Sequence, residues 1–320
     1  MKNILVSGAS GIIGYGILRS LQLSGKDFKL IGTTIYTDSP AEGFCDIFEK
    51  AIPTNDPNYI SWLLKVIEKN QIDLIIPGIE ADMYAWAEHI QILQKSGAKV
   101  LLNANELIDL CHDKWVFYEK LQSVNSPYTI ATSLEANFDT VVKEFGLPLL
   151  LKPRCGHGSK GIVKVNSKED FEKHREFIGA QLMVQPIVGN DDEEYTTSAF
   201  CDGIGGFFAF MTLKRKLSKD GFTEKAEVVE LENIEEVLRS LCEVFKPIGP
   251  TNFQFRKDNS GLKLLEINPR ISSSTSIRAK FGYNESLMAI DYFLEGKTIE
   301  QPRIKKGKVI RYIEDLIIYE

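Results

Sequence analysis

Apolar residues come in two rhythms along this chain, and the change between them marks its organisation. Up to about residue 105, short apolar runs alternate with stretches of helical period. Ile4-Leu5-Val6, Lys29 to Thr33, Asp73 to Pro77 and Lys99 to Asn103 read as strands. Between them lie helices from about Gly11 to Leu23, Asn58 to Lys69 and Ala81 to Lys95. Runs of that length between helices indicate βαβ units and a parallel sheet. From Asn105 the rhythm changes. Helices run through Leu110 and Gln122 and from Ala136 to Phe145, and an apolar run enters a glycine loop at Leu149 to Val165. A helix from Lys168 to Ile178 and a strand at Leu182 to Ile187 follow. Long alternating segments then predict antiparallel strands at Tyr195–Cys201, Phe207–Thr212 and Glu227–Val229, with a helix over 234–245. A hairpin from Thr251 to Asn268, a helix from Asn284 to Leu294 and a strand near Val309 complete the pattern.

With 320 residues, 43% hydrophobic and 26% charged, the chain fits a globular protein of two or three units. A net charge of −6 gives no support for a nucleic-acid partner. No apolar run reaches the roughly 18 residues of a membrane span. Together with a start that enters a strand directly, this places the protein in the cytoplasm as an expectation. Five cysteines, with no CxxC pair, and four scattered histidines argue against structural zinc. Cys155 lies in the glycine loop, where no histidine-base arrangement can be placed next to it from sequence, and reads as a small loop residue.

The chemistry concentrates in two places. Leu149–Val165 (LLLKPRCGHGSKGIVKV) is a strand, a loop with Gly156, Gly158 and Gly161, and a second strand. Glycines allow backbone N–H groups to approach an anion closely, and Lys152 adds a cation at the strand end. Ser159-Lys160-Gly161 reverses the Walker order and runs into β-branched residues, so a lid over phosphates fits better than a P-loop. In the hairpin, residues two apart share a face. Glu266 and Asn268 therefore point together, and a three-residue loop at Asn259–Gly261 would set Gln254 across from Glu266. Three side-chain oxygens on one face suit Mg²⁺, which takes its remaining ligands from phosphate and water.

These parts, in this order, resemble the ATP-grasp superfamily, in particular the branch of the carbamoyl phosphate synthetase large subunit and the pyrrolysine-pathway ligase. The resemblance covers Lys114 to about Gly282. It implies a mixed α/β and α+β fold. A parallel-sheet pre-ATP-grasp domain (1–112) would precede a small subdomain carrying the loop (113–188) and a C-terminal subdomain with an antiparallel sheet and metal site (189–320). It implies nucleotide contacts from Lys114, Lys152, Gly156, Gly158, Ser159 and Gly161. Gln185, Pro186 and Ile187 would form the adenine hinge, and Glu194 would hold the ribose. Gln254, Glu266 and Asn268 become the ligands of Mg²⁺ or Mn²⁺, and Arg270 the arginine beside an acyl phosphate. Lys214 and Arg215 are further candidates for phosphate or carboxylate contact. The implied activity is ATP-dependent, ADP-forming ligation of a small-molecule carboxylate to an amine or thiol, by a homodimer in one reading. Ser272-Ser273-Ser274 lacks a second arginine found in the synthetase, which argues against bicarbonate as substrate.

Two further expectations come from the first domain. Gly8-Ala9-Ser10-Gly11-Ile12-Ile13-Gly14 has dinucleotide-like spacing, but the second strand ends at Gly32-Thr33-Thr34-Ile35 without the ribose-binding acid, and no Tyr-x-x-x-Lys occurs. It reads as a tight turn, with an NAD(P)-dependent oxidoreductase or epimerase as the alternative and a non-catalytic nucleotide-binding protein as another. Glu80 and Asp82, at the edge of the same sheet, could select an amine or serve the helix dipole.

Overall fold

A computed structural model describes residues 1–156, 160–190, 192–218 and 221–317. The first sheet is parallel and has five strands: β1 (Lys2–Val6), β2 (Phe28–Thr34), β3 (Ile47–Lys50), β4 (Leu74–Ile76) and β5 (Lys99–Val100), in the order β3-β2-β1-β4-β5. Its strands are apolar because both faces are covered. Leu5, Ile31 and Ile75 pack with Trp86 and with Leu63 and Ile67 of α2 (Tyr59–Asn70); Ile4, Val6 and Ile76 face the other way, toward α1 (Gly14–Gln22). The short strand β3, not expected from the sequence, adds an edge. The helix expected over 81–95 divides at His89 into α3 (Glu80–Glu88) and α4 (Ile90–Gln94).

Two helices, α5 (Asn105–His112) and α6 (Lys114–Ser123), lead into a three-stranded antiparallel sheet of β6 (Leu149–Pro153), β7 (Val163–Val165) and β8 (Leu182–Pro186), ordered β7-β6-β8. Val141 of α7 (Phe138–Phe145) and Phe171 of α8 (Lys168–Glu172) close a small core on it.

The third sheet has six strands: β9 (Glu194–Asp202), β10 (Phe207–Leu217), β11 (Thr223–Val228), β12 (Ile248–Asp258), β13 (Gly261–Asn268) and β14 (Lys308–Ile310). Their order is β13-β12-β9-β10-β11-β14. One face, with Phe253 and Phe255 fully buried, packs on α9 (Ile234–Phe245) and on Phe117 and Leu121 of α6. Burying each such ring contributes roughly 1.5–3 kcal/mol. The other face carries Phe200, Met211 and Leu213 into a core shared with α1 and with α10 (Thr275–Lys280) and α11 (Glu285–Phe293). The first and third sheets are thus joined through common apolar side chains. Gly16 permits this, since a Cβ there would stand 3.2 Å from the Thr275 methyl.

A candidate nucleotide and metal site between three sheets

The hairpin β12–β13 sets Gln254 opposite Glu266 and Asn252 opposite Asn268. The expected pairing is present, but the route to it differs. Asp258 pairs with Gly261, so the turn holds two residues, and a bulge between Gln254 and Phe255 supplies the extra residue. Asn268 Nδ2 donates to Glu266 Oε1 over 3.2 Å, and Asn268 Oδ1 accepts from Arg270 over 3.0 Å. Gln254 Oε1 accepts from Arg215 over 2.7 Å.

Cations surround this face. Lys152, on β6, and Lys114, at the start of α6, both act electrostatically on Glu266. Burial pushes the Glu266 carboxyl up, but Lys152, Lys114, the Asn268 amide and Arg270 together outweigh it and hold the carboxyl below its usual range. Lys152 moves down: burial dominates and Lys114 and Arg256 add to it, against the pull of Glu266 and Glu194. Lys114 is fixed from two sides. Its Nζ donates to the Gly156 carbonyl over 2.6 Å, and its own N–H donates to Arg154 O over 2.8 Å. Asp113 caps α6 through the Trp115 N–H and pairs with Arg154 at 2.6 Å. The root of the glycine loop is therefore tied to the helix that carries the lysine. Gly156 and Gly161 both have positive φ (112° and 75°), a conformation glycine adopts without penalty. Gly158 and Ser159 lie outside the described residues.

Arg215 and Lys214 part company. The strand expected to stop near Thr212 continues to Leu217, and alternation then turns the two neighbours to opposite faces. Arg215 points inward, 4% exposed, and burial lowers its pKa against the opposing pull of Glu194. Lys214 pairs with Glu193 at 3.0 Å on the far face and lies 6.0 Å from the Tyr195 ring centroid, away from the hairpin oxygens. Glu194 is equally committed: Oε1 accepts from Arg215 and Oε2 from Arg256 at 3.2 Å. It orders the cations, and a ribose hydroxyl would have to share it. At the hinge, Gln185 is buried and its amide donates to Thr132 over 2.8 Å, so its side chain faces inward and only backbone atoms of Gln185, Pro186 and Ile187 remain for a base.

Arg270 reaches across to the first sheet, where its Nη2 donates to Glu80 at the N-terminus of α3. Asp82 does not face the site. It is 4% exposed and accepts from Thr54 and Tyr59, whose hydroxyl also takes the Trp86 N–H. The glycines of the β1–α1 turn have a packing explanation: a Cβ on Gly14 would lie 2.2 Å from Gly8 O, and one on Gly78, after β4, 2.1 Å from Ser7 O in the same turn. Cys155 does have a histidine beside it, since the fold brings His112 Nδ1 to 3.8 Å from its Sγ. The sequence did not anticipate Arg256 as partner of Glu194, or Glu80 as partner of Arg270. Their spacings of 62 and 190 residues leave no local signal.

Lys114, Lys152, Arg215, Arg256 and Arg270 thus gather around Glu80, Glu194 and Glu266, a cation-rich surround that suits an anion. Among the described residues no group of three His, Cys, Asp or Glu could cage a metal alone. One carboxylate with two amide oxygens instead suits a hard cation that is partly held by phosphate.

A sequence-family profile described as "ATP-grasp in the biosynthetic pathway with Ter operon" matches residues 180–316, from β8 to the segment after β14. The carbamoyl phosphate synthase large chain of Clostridium acetobutylicum is 26% identical over 263 residues, covering 76% of this chain and 24% of that relative. This chain therefore spans about a quarter of the length of such relatives. The N5-carboxyaminoimidazole synthetase of Staphylococcus aureus, solved with ADP, superposes with a TM-score of 0.75 at 18% identity, over 98% of this chain and 82% of that one. Residues 180–316 match an ATP-grasp family, and the chain as a whole has the ATP-grasp fold. The biotin carboxylase of Campylobacter jejuni shares the ATP-grasp fold with it at a TM-score of 0.74 and 18% identity, over 96% and 74% of the two chains. No helix among the described residues is long and apolar enough to cross a membrane.

Proposed function

We propose that this protein is an ATP-dependent, ADP-forming ligase that activates a small-molecule carboxylate as its acyl phosphate and passes it to an amine or a thiol. The observation that carries the reading is the juxtaposition of Lys114 and Lys152 with Gln254, Glu266 and Asn268 on the β12–β13 hairpin. Mg²⁺ or Mn²⁺, held by Glu266, Asn268 and Gln254, would neutralise phosphate oxygens. Lys152 and Lys114 would hold the phosphates and offset charge as the γ-phosphoryl moves. Positioning and electrostatics supply most of the acceleration in such transfers. Arg270, held by Glu80 and Asn268, would steady the acyl phosphate. The loop rooted at Gly156 would exclude water from it.

The relatives support this reading by their names, which include synthetases and a carboxylase. The dinucleotide reading is not favoured, because the first-domain glycines serve backbone packing and β2 ends in buried threonines. We place the protein in the cytoplasm, with a homodimer as the working assembly. The three segments 1–112, 113–188 and 189–320 remain our division of labour, the first for the acceptor and the other two for the nucleotide. The test is a screen for Mg²⁺-dependent ADP release over paired carboxylates and amines. ADP formed only with both partners supports ligation. Nucleotide binding without turnover across the panel points to a non-catalytic protein instead.

A further inference from the structure

Among the described residues, the buried side-chain polar atoms without a hydrogen-bond partner are Asn252 Nδ2 and the Nε atoms of Arg270, Arg278 and Arg311. All four are donors. An unmet buried donor is costly, so such a set calls for an acceptor. All four also belong to one neighbourhood. Arg270 Nη1 donates to Ile271 O at 3.2 Å, Arg278 Nη1 to Ser272 Oγ at 2.7 Å, and Arg311 Nη2 to Ser273 O. Asn252 Oδ1 accepts from Arg278 at 2.9 Å.

Charge separates the three arginines. Arg270 is balanced by Glu80, and Arg278 by Glu285 at 3.4 Å in a fully buried pair. Arg311 has no carboxylate within ion-pair distance among the described residues, and neither has Arg19. Burial lowers the Arg311 pKa, and its electrostatic neighbours are the Tyr15 hydroxyl and Arg19, both on α1. The first turn of α1 carries no acid. Arg311 is also held in place. Its N–H continues the β11–β14 pairing by donating to Glu224 O at 2.9 Å, and beyond it Leu316 packs so tightly on Gly43 that a Cβ there would lie 2.5 Å from it. The chain after β14 therefore bridges the third sheet to the first domain, with Arg311 at the crossing.

We infer that Arg311, with Tyr15 and Arg19, binds an oxyanion of the acceptor substrate, a carboxylate or phosphate distinct from the group that reacts at Arg270. This rests on the ligase reading above. Ser273, which anchors Arg311, is three residues from Arg270, a span of at most about 11 Å. The point lies beside the β1–α1 turn, at the carboxyl edge of the parallel sheet where open α/β sheets bind ligands. A substrate would then span the two arginines, with its reacting group at one and its anionic handle at the other.

The test is calorimetric. The protein is first saturated with Mg²⁺ and the non-hydrolysable β,γ-imido analogue of ATP, so that the nucleotide phosphate positions are filled. It is then titrated with inorganic phosphate in one arm and succinate in the other, which tells the two oxyanion sources apart. Wild type is expected to bind at least one, more weakly at higher salt. Arg311→Gln should lose tenfold or more of that affinity and Arg311→Lys less, while both keep their affinity for the analogue within twofold. Arg311→Gln binding both anions as wild type does, wild type binding neither, or anion and analogue affinity falling together would overturn the inference. Failure of wild type to bind the analogue at all would overturn the ligase reading instead.

Discussion

Glu194 is the hub of the cation cluster, and removing its charge while keeping its shape should be costly. It is 6% exposed, with Arg215 at 4% and Arg256 at 20%. In Glu194→Gln, Arg215 keeps Gln254 Oε1 but loses the carboxylate bonded to it, and a buried guanidinium is left with only the Coulombic pull of Glu266, to which it has no hydrogen bond among the described residues. Breaking a buried pair from one side costs about 3–5 kcal/mol. Arg256 adds less, because water reaches it, and the new amide oxygen still accepts one bond, so the lower end, about 3 kcal/mol, applies. At roughly 2–4 °C per kcal/mol for chains of this order, the apparent unfolding midpoint should drop by roughly 6–12 °C. Glu194→Met with Arg215→Met, which removes both charges, should recover most of that loss. Scanning calorimetry without nucleotide measures both. A Glu194→Gln midpoint within 2 °C of wild type would refute the argument that Arg215 depends on Glu194.

Lys152→Ala should weaken binding of Mg-ATP by roughly 10–100-fold, in keeping with about 1.5–3 kcal/mol for a hydrogen bond to a charged group, whereas Lys214→Ala, on the far face, should leave it within twofold; calorimetric titration of the pair separates the faces. Because the folded Glu266 carboxyl lies below its unfolded value, its ionised form adds stability in full above about pH 4.3 and loses it as pH falls through the depressed folded value. The stability gap between wild type and Glu266→Gln, followed by urea unfolding from pH 6 downward, should therefore narrow in acid; a constant gap would contradict the electrostatic environment described for Glu266. Asp113→Ala removes a helix cap and the Arg154 pair, and should lower stability by about 1–2 kcal/mol while raising the ATP concentration needed for half-saturation.

What could be read from the sequence was whatever depends on local period. The parallel sheet of the first domain follows from strand–helix spacing, and the antiparallel third sheet and the shared face of Glu266 and Asn268 follow from alternation. A three-residue loop and a two-residue turn followed by a bulge set Gln254 opposite Glu266 alike, so the pairing is legible even though the turn is not. Lys214 and Arg215 look alike only if the strand stops near Thr212, and it runs on to Leu217. One more turn of alternation would have separated them. Asp82 is absorbed by Thr54 and Tyr59, and nothing in its neighbours in sequence announces that. The same holds for Arg278, which lies in a helix the pattern did not show and is buried against Thr196, Asn252 and Glu285. Such pairings depend on how sheets meet, and the pairing of distant segments leaves no periodic trace.

The most direct measurement is the affinity for ADP with and without Mg²⁺, in wild type and in Glu266→Ala. A metal and nucleotide site on the β12–β13 hairpin predicts that Mg²⁺ tightens ADP binding to wild type by tenfold or more. It also predicts that Glu266→Ala keeps the metal-free affinity but loses the Mg²⁺ increment. A variant that keeps the full increment, or a wild type indifferent to Mg²⁺, would contradict it.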